Sequence, residues 1–308
     1  MPLNNSGPIS LAGATTGQSI AVELGLGASN TISLNQANVR TLANVPSGAI
    51  TMPTNFYGKS NRTVRNITLS ASTANYTLNT AKVTGYVAGN TDVTLTINSG
   101  VFVSSSSTGS YAFIVDTSWA AGDNVTIINN GTIVGRGGNG GTGNCASGGS
   151  GASGGPGLLV QRATSINNAS GRIAGGGGGG TGGGWDGNAA QFCNPCVKVK
   201  CGCGRTTVYS GSGGGGGGIG GSTGGAADSC SLGSGGNGGN GTLTSAGGGG
   251  ASGPNGTNPG GSGGGYGSAG NLGGSASNRG TVGAAGACLA GNSNITWIAF
   301  GTRNGSIS

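Results

Sequence analysis

Residues 171–184 read GRIAGGGGGGTGGG, and this change from a short polar–apolar segment into a glycine tract decides the fold. Residues 128–141, INNGTIVGRGGNGG, repeat the same pattern, and a weaker copy without the glycine tract begins at Ile97. Repetition of this kind indicates a repeated structural unit. We interpret each copy as a short strand that turns at an Asn-Gly-type corner, with glycine runs attached.

Glycine accounts for 76 of the 308 residues, whereas average usage is about 7 %. Residues 135–287 lack the apolar side chains that a hydrophobic core requires, so this part must stay disordered or become ordered through backbone contacts. Its glycine concentrates in seven runs, which cover residues 135–143, 148–157, 175–184, 211–225, 233–241, 247–253 and 260–274.

Polyproline II geometry offers these runs an ordered state. This helix has three residues per turn and no internal hydrogen bonds, so its N–H and C=O groups point outward. Only glycine lets neighbouring helices approach closely enough to share those bonds, with weak Cα–H···O contacts in addition. A disordered Gly/Ser linker is the alternative, but seven runs of similar length with distinctive inserts favour order. Collagen is excluded, because glycine is not at every third position.

We predict a mainly β protein with little helix, in which a β-rich N-terminal part for attachment precedes a polyglycine II helix sandwich. Composition divides the chain into residues 1–60, a β-rich segment 61–134, and a glycine-rich segment 135–308 that ends in a strand. The middle segment alternates in the manner of strands, as in Val93, Leu95 and Ile97.

One short helix is predicted in the first segment. It runs through Leu34, Ala37 and Leu42, takes Ser33 as its N-cap, and stops before Pro46.

Charge and composition exclude several classes of function. The net charge is +7, but the 13 basic residues are scattered and form no stripe, so we expect no nucleic-acid partner. The chain has no His and only six carboxylates, far apart in sequence. The commonest general base and the commonest transition-metal ligand are therefore missing, and a paired-carboxylate site would need long-range assembly, so we expect no enzymatic activity.

Four of the seven cysteines form a cluster, Cys193-x2-Cys196-x4-Cys201-x-Cys203. This spacing suits either a four-cysteine zinc or iron–sulfur site or disulfides that staple a scaffold without a core. The second half is CxC rather than CxxC, which fits a zinc ribbon poorly, so we favour disulfides and expect no cofactor. An odd total leaves at least one thiol unpaired within a monomer.

Side-chain diversity concentrates in the longest insert between glycine runs, where aromatic and basic residues suit an interface. The candidate binding residues are Trp185, Asp186, Phe192, Lys198, Lys200, Arg205 and Tyr209, with Tyr266 joining them from a separate run. A rigid scaffold that carries variable loops at one end is a general arrangement for recognition. The alternative is that Trp185 and Phe192 pack over the cysteines as a local mini-core.

Several stretches resemble a known family. The segments Gly7–Leu11, Ser33–Leu34, Val39–Arg40, Pro46–Gly48 and Asn55–Ser60 resemble a leader of tailed-phage structural proteins, and Ile295–Arg303 is similar to phage fibre termini. The glycine-rich half resembles the adhesins that cap the long tail fibres of T-even-like phages. In those adhesins the glycine runs form a polyglycine II sandwich, and inserts at its distal end determine the choice of receptor.

The resemblance implies a tail-tip receptor-binding protein that contacts other tail fibre proteins and an outer-membrane protein or surface glycan of the host, as a single copy or a homotrimer. A structural tail, baseplate or decoration protein is the alternative, and an ice-binding protein is a second one. Since no apolar segment with a basic start opens the chain, we expect no signal peptide, synthesis in the host cytoplasm and a place in the virion.

Overall fold

The computed structural model describes residues 2–144, 147–184, 213–230, 233–253, 258–274 and 279–308. The chain forms two compact units, and each is assembled from separate stretches of sequence. Unit 1 consists of residues 1–66, 80–94 and 119–125, and unit 2 of residues 67–79, 95–118 and 126–308. In the described part of the chain, no helix has the length and apolar character needed to cross a membrane.

Unit 1 contains the helices, α1 (Ile20–Glu23) and α2 (Ala37–Ala43), with 3-10 turns at Thr54–Phe56 and Thr80–Lys82. Its core is a cluster of apolar side chains in which Ile20, Val39 and Phe56 are fully buried. The buried Glu23 carboxylate accepts hydrogen bonds from the Ser60 hydroxyl at 2.9 Å and the Asn61 N–H at 2.8 Å. These bonds satisfy a carboxylate that would otherwise be costly to bury.

Helix α2 confirms the predicted helix but corrects its start. The N-cap is Gln36, which makes no side-chain capping bond, whereas the Ser33 hydroxyl accepts a bond from the Asn35 N–H in the preceding turn. The helix ends at Asn44, which adopts the left-handed conformation with φ 56°. Asn is one of the few non-glycine residues that tolerate this conformation, so the helix stops before Pro46 is reached.

Sixteen strands are described, and most are only two to four residues long. They are β1 (Thr63–Leu69), β2 (Thr73–Ala74), β3 (Tyr76–Leu78), β4 (Thr91–Ile97), β5 (Phe102–Ser104), β6 (Phe113–Val115), β7 (Asn124–Asn129), β8 (Thr132–Val134), β9 (Leu158–Val160), β10 (Thr164–Asn167), β11 (Arg172–Ala174), β12 (Ser229–Cys230), β13 (Gly233–Ser234), β14 (Leu289–Ala290), β15 (Ile295–Ala299) and β16 (Thr302–Asn304). In β4, Val93, Leu95 and Ile97 are buried, which confirms the predicted alternation.

The strands other than β12 and β13 form a parallel solenoid, most of which belongs to unit 2. Three sheets have the orders β1-β4-β7-β10-β15, β2-β5-β8-β11-β16 and β3-β6-β9-β14. The chain visits the three sheets in turn, and β8 pairs in parallel with β5 and β11, as β9 does with β6 and β14. Apolar side chains such as Val103, Ile133 and Ile173 point inward and are fully buried. The predicted mainly β class with little helix is therefore confirmed.

The sequence repeat corresponds to the corner between the first and second sheets. In two successive corners the fully buried Asn129 and Asn168 stack, and the Asn129 amide donates to Asn168 Oδ1 at 2.7 Å. Asn129 Oδ1 also accepts from the Gly131 N–H at 3.1 Å, and the Asn168 amide donates to the Phe300 carbonyl at 2.8 Å. This ladder satisfies backbone groups where the strands change direction.

The glycine-rich segments are two insertions in the solenoid. The first insertion, residues 135–157, connects β8 to β9, and the second, residues 175–287, connects β11 to β14. The insertions continue the register of the sheet: Val134 pairs with Ala174, and the next bonds run from Gly135 N–H to the Ala174 carbonyl and from Gly138 N–H to the Gly177 carbonyl. The solenoid therefore sets the alignment of the first glycine runs.

Ten runs of extended backbone fill these insertions in the described residues, and successive runs are antiparallel. In chain order, runs 1 to 10 are residues 135–144, 147–157, 175–184, 213–220, 222–228, 235–242, 247–253, 258–265, 268–274 and 279–287. The sequence predicted seven. Two predicted runs are divided by turns at which Gly220, Gly221 and Gly267 have positive φ, and the tenth run is poorer in glycine.

Run 3 (residues 175–184) is buried along its whole length and is surrounded by other runs. Three consecutive N–H groups donate to three different neighbours: Gly176 donates to run 2, Gly177 to run 4 and Gly178 to run 9, at 2.8–2.9 Å. Its carbonyls accept from runs 1, 8 and 10. The rotation repeats every three residues, so six neighbours hold this run by backbone bonds.

This packing leaves no room for side chains in the interior. A Cβ on Gly179 would overlap the Asn139 carbonyl oxygen, and one on Gly180 would overlap that of Gly261. Both obstacles are backbone atoms of neighbouring runs, which cannot rotate away. Glycine is therefore required here by the close approach of backbones rather than by chain flexibility.

Replacing Gly179 with Ala should destabilise the protein, because the new methyl group forces runs 1 and 3 apart. We expect a loss of about 1–3 kcal/mol, the usual cost of overpacking. The matched control is Gly248→Ala in run 7, where an added Cβ meets nothing within 4 Å. The control should be neutral or slightly stabilising. Thermal unfolding of both variants tests this, and equal midpoints would contradict the packing described.

The asparagine ladder gives a second stability test. Asn129→Ala removes the partner of Asn168 Oδ1 and of the Gly131 N–H, so buried polar groups remain unsatisfied at about 1–3 kcal/mol each. The control is the adjacent Asn130→Ala, a half-buried corner position outside the ladder. Chemical denaturation should show a lower midpoint for Asn129→Ala alone, and the ladder would be unimportant if both variants unfolded together.

Candidate functional site

The antiparallel runs have two ends with different surroundings. We call the end that contains Gly135 and Gly175 the near end, because these residues continue directly from β8 and β11. The opposite end is the far end. Described turns at residues 220–222, 243–246 and 265–267 connect runs at the near end. Within each insertion, the described residues that border the remaining connections between runs lie at the far end.

Backbone hydrogen bonds bring the far-end residues of separate runs side by side. Asn144 N–H donates to the Gly183 carbonyl at 3.2 Å, Gly183 N–H to Gly213 at 2.8 Å, and Gly213 N–H to Asn258 at 3.2 Å. Gly143 likewise donates to Ala226 at 2.8 Å. The described residues that border segments 145–146, 185–212, 231–232, 254–257 and 275–278 therefore lie at one end of the glycine-rich part.

The described far-end residues themselves carry little side-chain chemistry. One acid, Asp228, lies next to the short antiparallel hairpin of β12 and β13, where the Ser229 and Ser234 hydroxyls are 2.6 Å apart. One base, Arg279, donates to the Gly274 carbonyl at 2.6 Å. Most other described far-end residues are Gly, Ala, Ser or Asn. The described far-end residues therefore offer few charged or aromatic side chains.

Most of the sequence-predicted binding residues belong to one of those segments. Trp185, Asp186, Phe192, Lys198, Lys200, Arg205 and Tyr209 lie outside the described residues, as do the clustered Cys193, Cys196, Cys201 and Cys203. The choice between disulfides and a metal at that cluster stays a prediction. Within the described part of the chain, no group of three metal-ligating side chains comes together.

Tyr266 is described, and it lies at the near end. Its hydroxyl donates to the Leu243 carbonyl at 2.6 Å, which joins two near-end turns. The Arg172 guanidinium lies over its ring at 4.3 Å from the centroid. Burial raises the pKa of Tyr266, and the positive charge of Arg172 opposes this shift. These contacts brace the turns against β11, and they lie at the opposite end from Gly184 and Gly213, which border the 185–212 segment.

Cys288 is a free thiol buried in the solenoid, immediately before β14. Its Sγ donates to the Ile173 carbonyl at 3.1 Å, and burial raises the pKa of the thiol to about 11. Because the thiolate is the reactive form, this cysteine is chemically inert at neutral pH. It is an unpaired thiol of the kind that an odd number of cysteines requires.

Comparison with known proteins identifies the family. A family model described as phage tail fibre adhesin Gp38 matches residues 64–308, from β1 to the end of the chain. A crystal structure of the gp37–gp38 adhesin tip complex of the bacteriophage S16 long tail fibre is similar at 27 % identity and a TM-score of 0.48, over 97 % of this chain and 100 % of that chain. No curated protein sequence matches significantly. Since the family model spans most of the chain, this protein belongs to the phage tail fibre adhesin Gp38 family and is a receptor-binding protein of the phage tail tip.

Proposed function

We propose that this adhesin contacts the host receptor with its far end, and above all with the segment from Trp185 to Tyr209. The observation that supports this is the alternation of the runs, which brings the borders of five connecting segments to one end. Aromatic and basic side chains concentrate in the 185–209 segment, whereas glycine and small residues dominate its surroundings. Large aromatic residues and Arg supply most of the energy of typical interfaces.

We propose further that the ten runs are polyglycine II helices packed as a sandwich. The rotation of hydrogen-bond donors in run 3 supports this, because a helix with three residues per turn presents every third N–H to the same neighbour. Runs of about ten residues would then span roughly 30 Å. Such a sandwich would hold the far-end segments rigidly at that distance from the solenoid, which reduces the entropy lost on binding.

The attachment role is assigned to residues 1–60 and the rest of unit 1. The family model begins at residue 64, so the leader lies outside the part that this chain shares with the family as a whole. Unit 1 also contains no glycine run and has a core of its own. We propose another tail fibre protein as its partner, an outer-membrane protein or surface glycan as the receptor, and adhesion without catalysis.

A double substitution tests the far-end site. Trp185→Ala with Tyr209→Ala should abolish the ability of the purified protein to block adsorption of whole phage, because both aromatic anchors are lost. The control is Ser245→Ala, which changes an exposed side chain in a near-end turn. Competition on host cells measures both variants against the unmodified protein. Normal competition by the double variant would place the receptor site elsewhere, and failure of the unmodified protein to compete would contradict receptor binding itself.

The four lysines allow an independent test of orientation. Lys59 and Lys82 belong to unit 1, whereas Lys198 and Lys200 belong to the proposed receptor segment. Amine-reactive cross-linking of adsorbed phage, followed by mass spectrometry, should connect the first pair to tail fibre proteins and the second pair to host surface proteins. Free phage serves as the control, because only the first set of cross-links should form. The reverse assignment would overturn the proposed polarity of the adhesin.

A further inference from the structure

The second sheet of the solenoid presents a regular row of outward side chains in unit 2. Phe102 pairs with Thr132, Thr132 with Arg172, and Arg172 with Thr302, at the first positions of β5, β8, β11 and β16. Neighbouring strands lie about 4.8 Å apart, so the four side chains form a straight ladder of roughly 14 Å. A ladder of this kind matches an extended ligand with a repeating unit.

A cleft of about 410 Å³ runs along this ladder. Its lining also includes Asn130 and Ser170 from the preceding corners. Thr244 and Tyr266 of the near-end turns line it as well. The lining thus combines hydroxyl and amide groups with two aromatic rings, and few large apolar side chains. Hydrogen-bonding groups in such number suit a hydroxyl-rich ligand better than an apolar one.

Arg172 gives the cleft a positive charge that no acidic side chain of its lining neutralises. Among the described residues, none of the carboxylates of Glu23, Asp92, Asp116, Asp123 and Asp228 lines the cleft. The guanidinium is held over the Tyr266 ring at 4.3 Å, and the Tyr266 hydroxyl is itself fixed by the Leu243 carbonyl. Because guanidinium binds carboxylate through two parallel hydrogen bonds, an oriented Arg172 is suited to capture one acidic group of a ligand.

We propose that this cleft is a second binding site, distinct from the far-end receptor site, for an acidic oligosaccharide. Arg172 binds a carboxylate of one sugar unit. The hydroxyls of Thr132, Ser170 and Thr302 and the amide of Asn130 bind sugar hydroxyls along the ladder, and the Phe102 ring packs against a sugar face. A site of this class on the solenoid would hold the adhesin to an acidic surface polysaccharide independently of receptor capture.

Calorimetric titration of the purified full-length protein tests the proposal with a trisaccharide of galacturonic acid as the probe. We expect saturable binding of this probe and clearly weaker binding of neutral maltotriose and of the galacturonic acid monomer. Arg172→Ala should weaken binding of the trisaccharide about tenfold or more, since a hydrogen bond to a charged group is lost. Absence of saturable binding, or equal affinity for monomer and trimer, would overturn the proposal.

Matched variants separate this site from general charge effects and from misfolding. Arg303→Ala removes the same charge from the solenoid, but Arg303 lies over Trp297 and Phe300 rather than in the cleft, so binding should be unchanged. Thr132→Val keeps the size of the side chain and should weaken binding about 2- to 10-fold through loss of one hydroxyl. The proposed site would be contradicted if Arg303→Ala weakened trisaccharide binding as much as Arg172→Ala does, or if neither Thr132→Val nor Arg172→Ala weakened it.

The outcome is also independent of the far-end proposal. The Trp185→Ala, Tyr209→Ala double variant should bind the trisaccharide like the unmodified protein, whatever its effect on phage adsorption. Loss of trisaccharide binding in that variant would show that the saccharide binds at the far end and would overturn the cleft. If the double variant no longer blocks phage adsorption but still binds the trisaccharide, the result supports both the far-end receptor segment and a separate cleft.

Discussion

The close approach of one backbone to another is the constraint on which the glycine-rich half depends. Run 3 is buried on every side without an apolar core, and its neighbours donate to it and accept from it through the main chain. Ordering glycine costs more backbone entropy than ordering any other residue. That cost is offset only when each N–H and C=O finds a partner, so one run cannot be stable without the runs around it. The stability of each run therefore depends on the runs around it, and the glycine-rich part is cooperative.

The solenoid solves the problem of alignment that such a scaffold creates. A run of identical glycines contains no side-chain information to fix its register against its neighbour, so a shift by three residues would restore the same bonds. Here the register is fixed before the glycines begin, because Thr132 pairs with Arg172 and Val134 with Ala174 in β8 and β11. On the return side, Leu158 pairs with Leu289, and the adjacent Gly157 N–H donates to Ala287. Apolar side chains in the solenoid thus define the alignment of segments that have none.

The sequence predicted the β-rich class, the corner repeat and the alternation in β4, because these depend on local patterns. It did not predict the solenoid, since strands of three residues carry almost no periodic signal. It also missed the division of two glycine runs, because a glycine that adopts positive φ, such as Gly220 or Gly267, looks the same in sequence as its neighbours. Because this division was missed, the sequence could not show at which end of the runs Tyr266 lies. Within one uninterrupted run it could belong to either end, but the turn at residues 265–267 places it at the near end against Arg172.

The two ends of the glycine-rich part are held by different contacts. Each insertion leaves and rejoins the solenoid, and its described residues form an even number of antiparallel runs, two in the first insertion and eight in the second. At the near end, Tyr266 contacts Arg172 of β11 in the solenoid, and its hydroxyl donates to the Leu243 carbonyl of the neighbouring turn. At the far end, backbone hydrogen bonds between runs fix the register of the described residues, as far as residues such as Asn144, Gly183 and Gly213. We therefore expect substitutions in the connecting segments to leave these backbone bonds in place, so that the receptor site proposed there can vary in sequence without cost to the scaffold.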